Sequence, residues 1–188
     1  MTAATWHDGA VDDRGLVDAV LAGNRDAFRE RVEREQVAVY RACLRVLGRP
    51  HDAEDVAQES FVMAFRALGT YRGDGPLGGW LMRIALRQAY RRLGQRRETS
   101  ELSPDLPIGA PSSDPLAATL AGERQREIRL AVAALGEPYR EVLALRFFGD
   151  MSLEEIAQAT RRPVNTVKTH LRRGLQRLRP ILGREVAA

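Results

Sequence analysis

Residues 152–179 read SLEEIAQATRRPVNTVKTHLRRGLQRLR. Ser152 and Glu155 have capping-box spacing, in which each side chain satisfies the other residue's free backbone N–H. A short helix follows, with Leu153, Ile156 and Ala157 on its inward side. Thr160 to Arg162 form a turn, and Pro163 suits the first position of the next helix, where its missing N–H costs nothing. A short helix, a tight turn and a longer basic helix make up the anatomy of a helix-turn-helix.

At 3.6 residues per turn, Val164, Val167, Leu171, Leu175 and Leu178 share one face of the second helix. Asn165, Thr169, Arg172 and Gln176 share the opposite face, flanked by Thr166, Lys168 and Arg173. These groups hydrogen-bond to base edges and phosphates, Arg bidentately to guanine and Asn or Gln to adenine. Residues 160–188 carry eight basic residues and one acid, the charge that phosphate neutralisation needs. The face is therefore a candidate DNA contact. His170 lies beside it without partner ligands for a metal, so a phosphate or water contact is expected there.

Charge changes in blocks along the rest of the chain. Residues 76–97 hold six arginines and no acid, and residues 98–123 hold five acids and no base. The last 65 residues hold 13 basic residues against seven acids. Two basic blocks around an acidic one predict two contacts with a polyanion. The acidic stretch has four prolines and many small residues, so it reads as a flexible linker.

From Asp13 to Leu68 the pattern is helical. Leu16, Val17, Val20 and Leu21 form one stripe, Asn24 caps a second helix, and Gly48 with Pro50 stops it. A third helix from about Asp52 to Leu68 carries Asp52, Asp55 and Glu59 on one face with Gln58 beside them. Such a face next to a DNA-binding module suits a basic protein partner. The glycine-rich stretch from Thr70 to Gly79 is a loop, and a fourth helix starts near Trp80. Trp80, Leu81, Ile84 and Ala85 face inward, and Arg83, Arg87, Arg91 and Arg92 recur along the outer side. Tyr71 in a flexible loop beside an Arg-rich helix is a single-strand site, since bases stack on aromatics while Arg neutralises the backbone.

The expected architecture is all-α. A helical domain covers residues 1–97, an acidic linker 98–123, and a second helical domain with the helix-turn-helix 124–188. A lone cysteine, Cys43, excludes internal disulfides and multi-cysteine metal sites. No cofactor or metal is expected. No apolar run approaches the roughly 20 residues of a membrane span, and the start lacks a secretory signal, so a cytoplasmic protein without membrane insertion is expected. Scattered histidines and the absence of a phosphate loop or nucleophile elbow argue against an enzyme. A repressor or activator with an N-terminal interaction domain explains the C-terminal half alone.

DAEDVAQESF with the following WLMRIA, and LGEPYREVLALRFFGDMSLEEIAQATRRPVNTVKTHLRRGLQRL, together resemble regions two and four of bacterial extracytoplasmic-function sigma factors. The resemblance covers residues 14–97 and 128–182. It implies a protein that binds core RNA polymerase and directs it to promoters. Asp52, Asp55, Gln58 and Glu59 would dock on the clamp helices of the beta-prime subunit, and the beta-subunit flap is a further expected contact. Tyr71, Arg72, Asp74, Arg83, Arg87, Gln88, Arg91 and Arg92 would open and read the −10 element. Asn165, Thr166, Lys168, Thr169, Arg172, Arg173 and Gln176 would read the −35 element in the major groove. The linker would follow the RNA path, and an anti-sigma factor is an expected partner. The family often has Asn where Arg87 stands and Asp where Arg91 stands; both changes add positive charge.

Overall fold

The computed structural model describes residues 12–98 and 115–182, and every regular element among them is helical. After α1 (Asp12–Leu21) the chain turns at Asn24, whose Oδ1 accepts from the backbone N–H groups of Asp26 at 3.2 Å and Ala27 at 3.4 Å. This starts α2 (Arg25–Leu47), which Gly48 ends in the left-handed conformation, φ 73°, where a side chain would be strained. Pro50 opens α3 (Pro50–Ala67), and a single 3₁₀ turn, Leu68–Thr70, closes it. Helix α4 (Leu77–Glu98) starts three residues before Trp80, which narrows the expected loop. Helices α5 (Pro115–Ala134), α6 (Tyr139–Phe147), α7 (Leu153–Thr160) and α8 (Val164–Leu182) complete the chain.

The linker expectation needs correction. Helix α5 already begins at Pro115, so residues 115–123 are helical; residues 99–114 lie outside the described residues. Pro163 precedes α8 rather than opening it, and its carbonyl accepts from Thr166 N (2.8 Å) and Val167 N (3.1 Å). The capping box is formed: Ser152 N–H donates to Glu155 Oε2 at 2.7 Å, and Glu155 N–H to Ser152 Oγ at 3.1 Å. In α1, Val17 and Val20 are buried, but Leu21 is exposed.

Helices α2, α3 and α4 form one three-helix core, with α1 laid across it. Helices α6, α7 and α8 form a second, with α5 beside it. The separate domains expected from the sequence are packed together here, their buried residues forming one continuous cluster. The joint is α4. Leu81, Ala85 and Ala89 lie on its stripe among the first domain's apolar positions, while Gly79, Met82, Leu86 and Tyr90 form a second stripe toward the C-terminal domain. A Cβ on Gly149 would lie 3.1 Å from Met82 Cγ, so the two domains meet in van der Waals contact. Two buried hydroxyls are satisfied within their own helices: Ser60 Oγ donates to Val56 O and Thr160 Oγ1 to Ile156 O, each at 2.6 Å.

Met82 is 1% exposed between the two cores. Met82→Ala should destabilise the chain by about 2–5 kcal/mol, the range for truncating a buried side chain. Urea unfolding of the two proteins checks this.

Candidate nucleic-acid and polymerase surfaces

Helix α8 presents the polar face that its spacing predicts. Asn165, Lys168, Arg172, Arg173 and Gln176 are exposed, and Val167 and Leu178 are buried. Thr166 and Thr169 are half-buried, and the Thr169 hydroxyl donates to Asn165 O at 2.9 Å, which leaves its methyl group and an acceptor for a partner. His170 does not join this face. Its ring stands edge-on to Tyr139 of α6, centroids 5.8 Å apart. Burial, then the neighbouring charges of Arg162 and Arg173, lowers its pKa, so it stays neutral at physiological pH.

The residues assigned to the second DNA site do not share one surface. Arg83 and Arg92 are nine positions apart, about 180° around the helix. Only Arg87 and Arg91 look outward, with Gln88 half-buried beside them. Arg92 pairs with Glu59 of α3 at 3.0 Å, while Arg83 turns toward the C-terminal domain. In the preceding loop Arg72 and Asp74 are exposed, but Tyr71 is not a free stacking platform. Its ring packs on Trp80 with centroids 5.7 Å apart, and its hydroxyl donates to Gly75 O. Burial pushes that hydroxyl up to about 12, so it remains a protonated donor.

The acidic face of α3 is likewise partly spent within the fold. Asp52 pairs with Arg96 at 3.0 Å and Glu59 with Arg92. Asp55 faces outward beside His51 at 3.5 Å, and Gln58 is exposed. On the neighbouring surface Val37, Val62 and Met63 are exposed apolar residues, and a groove of about 460 Å³ runs between α2 and α3 past Gln58.

The feature that sequence reasoning missed is a set of ion pairs across the domains. Glu141 of α6, its side chain 10% exposed, accepts from Arg83 Nε and from Arg162 Nη1, both at 2.7 Å. Burial works to raise its pKa, but the hydrogen bonds and charges of Arg83 and Arg162 outweigh it and hold the carboxyl below its ordinary value. Arg161 pairs with Asp74 at 2.9 Å, and Arg45 pairs with Asp150 and donates to Phe148 O. A Cβ on Gly75 would lie 2.5 Å from Gln158 Cβ, so the loop lies directly against α7. Nothing in the helical periodicity marks Glu141 as different from any solvated glutamate. Beside this clasp a groove of about 740 Å³ opens between α4 and α6, lined by Arg83, Arg87, Arg91, Arg140 and Tyr90. The Cys43 thiol is fully buried and pushed up to about 12, which makes it inert. Among the described residues, no group of acids, histidines and cysteines is arranged to hold a metal.

Comparison with known proteins follows the same two halves. Residues 31–99 match the family described as Sigma-70 region 2, and residues 125–178 match Sigma-70, region 4. The ECF RNA polymerase sigma factor SigW of Bacillus subtilis is 30% identical over 173 residues, which is 87% of this chain and 92% of that protein. The RNA polymerase sigma-H factor of Pseudomonas aeruginosa is 32% identical over 172 residues, 85% of this chain and 88% of that one. Among solved structures, CnrH in complex with the cytosolic domain of CnrY superimposes with a TM-score of 0.59 at 28% identity, covering 96% of this chain and 100% of that one. RpoE of Bartonella quintana, solved with the anti-sigma factor NepR, shares the fold with a TM-score of 0.55 at 19% identity, covering 86% of this chain and 98% of that one.

Glu141→Gln removes the charge shared by Arg83 and Arg162 while keeping its shape. The free variant should be more extended than the parent in small-angle X-ray scattering. Because the folded pKa lies below the unfolded one, the contribution of Glu141 is complete above the ordinary carboxylate range and lost as pH falls through the folded value. The compactness of the parent chain should therefore be the same at pH 8 and pH 6.

Proposed function

The chain belongs to the extracytoplasmic-function sigma factors of RNA polymerase, and on that premise we propose which of its faces meets each partner. A sigma factor binds the core enzyme and directs initiation at promoters. In this reading the chain is not itself an enzyme, and the phosphodiester chemistry stays with the polymerase. Among the described residues no helix is long and apolar enough to cross a membrane, and the chain would work in the cytoplasm, where the polymerase is.

The observation that carries the reading is the division of α8. Its apolar face is buried, and its outward face offers Asn165, Lys168, Arg172, Arg173 and Gln176. Inserted in the major groove, that face reads the −35 element, with Thr166 and Thr169 alongside. The −10 element falls to the loop tip, Arg72 and Asp74, and to Arg87, Gln88 and Arg91 on α4. Arg83 joins them once the C-terminal domain has moved away, whereas Arg92 supports the helix from α3, and Tyr71 shapes the loop. On α3, Asp55 and Gln58 meet the beta-prime clamp helices directly, and Glu59, still half-exposed, remains within their reach. Asp52 holds Arg96 and acts by keeping α3 and α4 in register. The beta-subunit flap is the expected seat of the C-terminal domain.

In this reading binding to the polymerase separates the two domains, because Arg83 is released from Glu141 only when they part. An anti-sigma factor is the remaining partner in this reading. RpoE of Bartonella quintana, which shares the fold, is solved with one, and the closed arrangement is the state such a protein would hold.

Reconstitution with core polymerase on genomic DNA, followed by mapping of transcript 5′ ends, tests the whole reading; starts no more selective than those of the core enzyme would refute it. Within it, Arg172→Ala should relax base preference at one −35 position by about 1–3 kcal/mol, measured by competition among single-base promoter variants. Equal weakening on every sequence would make Arg172 a phosphate contact instead. Asp55→Lys should reduce association with the core enzyme in a pull-down while leaving the helical circular-dichroism signal unchanged.

A further inference from the structure

Helix α4 begins without a cap of its own. Its first residue, Leu77, follows Pro76, which has no side-chain acceptor, and the first turn of a helix leaves backbone N–H groups unsatisfied. The missing acceptor comes from 64 residues away. Asp13 in α1, 2% exposed, takes the Leu77 N–H on Oδ2 at 2.7 Å. Its other oxygen, Oδ1, pairs with Arg31 Nη1 of α2 at 3.1 Å, and Arg31 Nη2 pairs with Glu35 at 3.1 Å. Arg31 is 7% exposed. A buried carboxylate held by a guanidinium therefore sits at the positive end of α4, where helix dipole and hydrogen bond both favour it.

The segment just before Leu77 is pinned at its other end. The Tyr71 ring rests on Trp80 and its hydroxyl reaches Gly75 O across the loop. Between these anchors only Arg72, Gly73 and Asp74 are exposed, and Gly73 takes the positive φ of 76° that lets the chain reverse there. Releasing Asp13 frees the C-terminal anchor, because among the described residues no other side chain accepts from Leu77 N–H, and the tip then loses its fixed distance from Arg87 and Arg91.

We infer that Asp13, held by Arg31, is a positioning residue for −10 recognition: it touches no DNA, and it sets the geometry of the 72–74 loop tip against α4. It lies before residue 31, where the match to Sigma-70 region 2 begins, so the family match does not include it. The inference rests on the reading of that loop as part of the −10 site.

The test uses holoenzyme reconstituted from full-length chains and a promoter library with a fixed −35 element and randomised −10 element. Three chains are compared: Asp13→Ala, Asp13→Asn, which keeps an acceptor for Leu77 N–H but loses the charge on Arg31, and the loop-tip variant Asp74→Ala. Amide hydrogen exchange over residues 71–80 of each free chain is read in parallel. Asp13→Ala should speed exchange in that segment, leave association with the core enzyme unchanged, and reduce discrimination among −10 sequences by about tenfold, the scale of one base contact. Asp13→Asn should fall between Asp13→Ala and the parent. A general loss of folding would lower core association and all transcripts together without flattening the sequence preference, and that result would overturn the inference. So would unchanged exchange over 71–80, or faster exchange with preference intact while Asp74→Ala alters it. If Asp74→Ala and Asp13→Ala both leave −10 preference intact, the assignment of the loop itself fails and takes the inference with it.

Discussion

Helix α4 serves as core for two domains at once. Leu77, Leu81, Met82, Ala85, Leu86 and Ala89 are all buried, so apolar contact occupies about half of its circumference. What remains outward is the narrow strip of Arg87 and Arg91. Burying a side chain of this size is worth about 1.5–3 kcal/mol, so several such contacts across the domain joint outweigh the polar ones around it. The position of the C-terminal domain, the accessibility of Arg83 and the shape of the preceding loop all follow from that one helix having two apolar faces.

Around the apolar joint the electrostatics are modest. Arg45–Asp150 and Arg161–Asp74 are each about half-exposed, and pairs of that kind contribute about 0–1 kcal/mol. Asp150 and Arg161 are also the non-glycine residues with positive φ among those described, at 53° and 55°. A left-handed backbone at such a residue costs about 1–2 kcal/mol, comparable to what its ion pair returns. These two contacts therefore set the orientation of the closed form without locking it. Glu141 differs, because it is largely buried and serves two guanidiniums at once. The joint is thus held mainly through non-directional contact and one central carboxylate.

How far the sequence could be read depended on the range of each interaction. The Asn24 cap, the Gly48 stop, the Ser152–Glu155 box and the amphipathic split of α8 are made by residues within a few positions of one another, and all are present. The interface faces were harder. Spacing put Arg83, Arg87, Arg91 and Arg92 together, yet their partners, Glu141 and Glu59, pull the first and last to opposite sides. Met82, Leu86 and Tyr90 stand at four-residue spacing, but the stripe expected to face inward was that of Trp80, Leu81, Ile84 and Ala85 alone. A helix with one partner needs one stripe, and only the presence of a second partner gives the other a meaning.

From its letters alone this chain is determined to be two helical modules, one carrying a helix-turn-helix whose outward face is built for DNA, because helix caps, turns and amphipathic periods are short-range properties. Only the tertiary structure decided that the modules close on each other, that Glu141 pairs with both Arg83 and Arg162, and that Asp13 caps a helix 64 residues distant. Those contacts join residues far apart in the chain. Their energies depend on burial and on which charge arrives opposite, and neither quantity is written in local spacing.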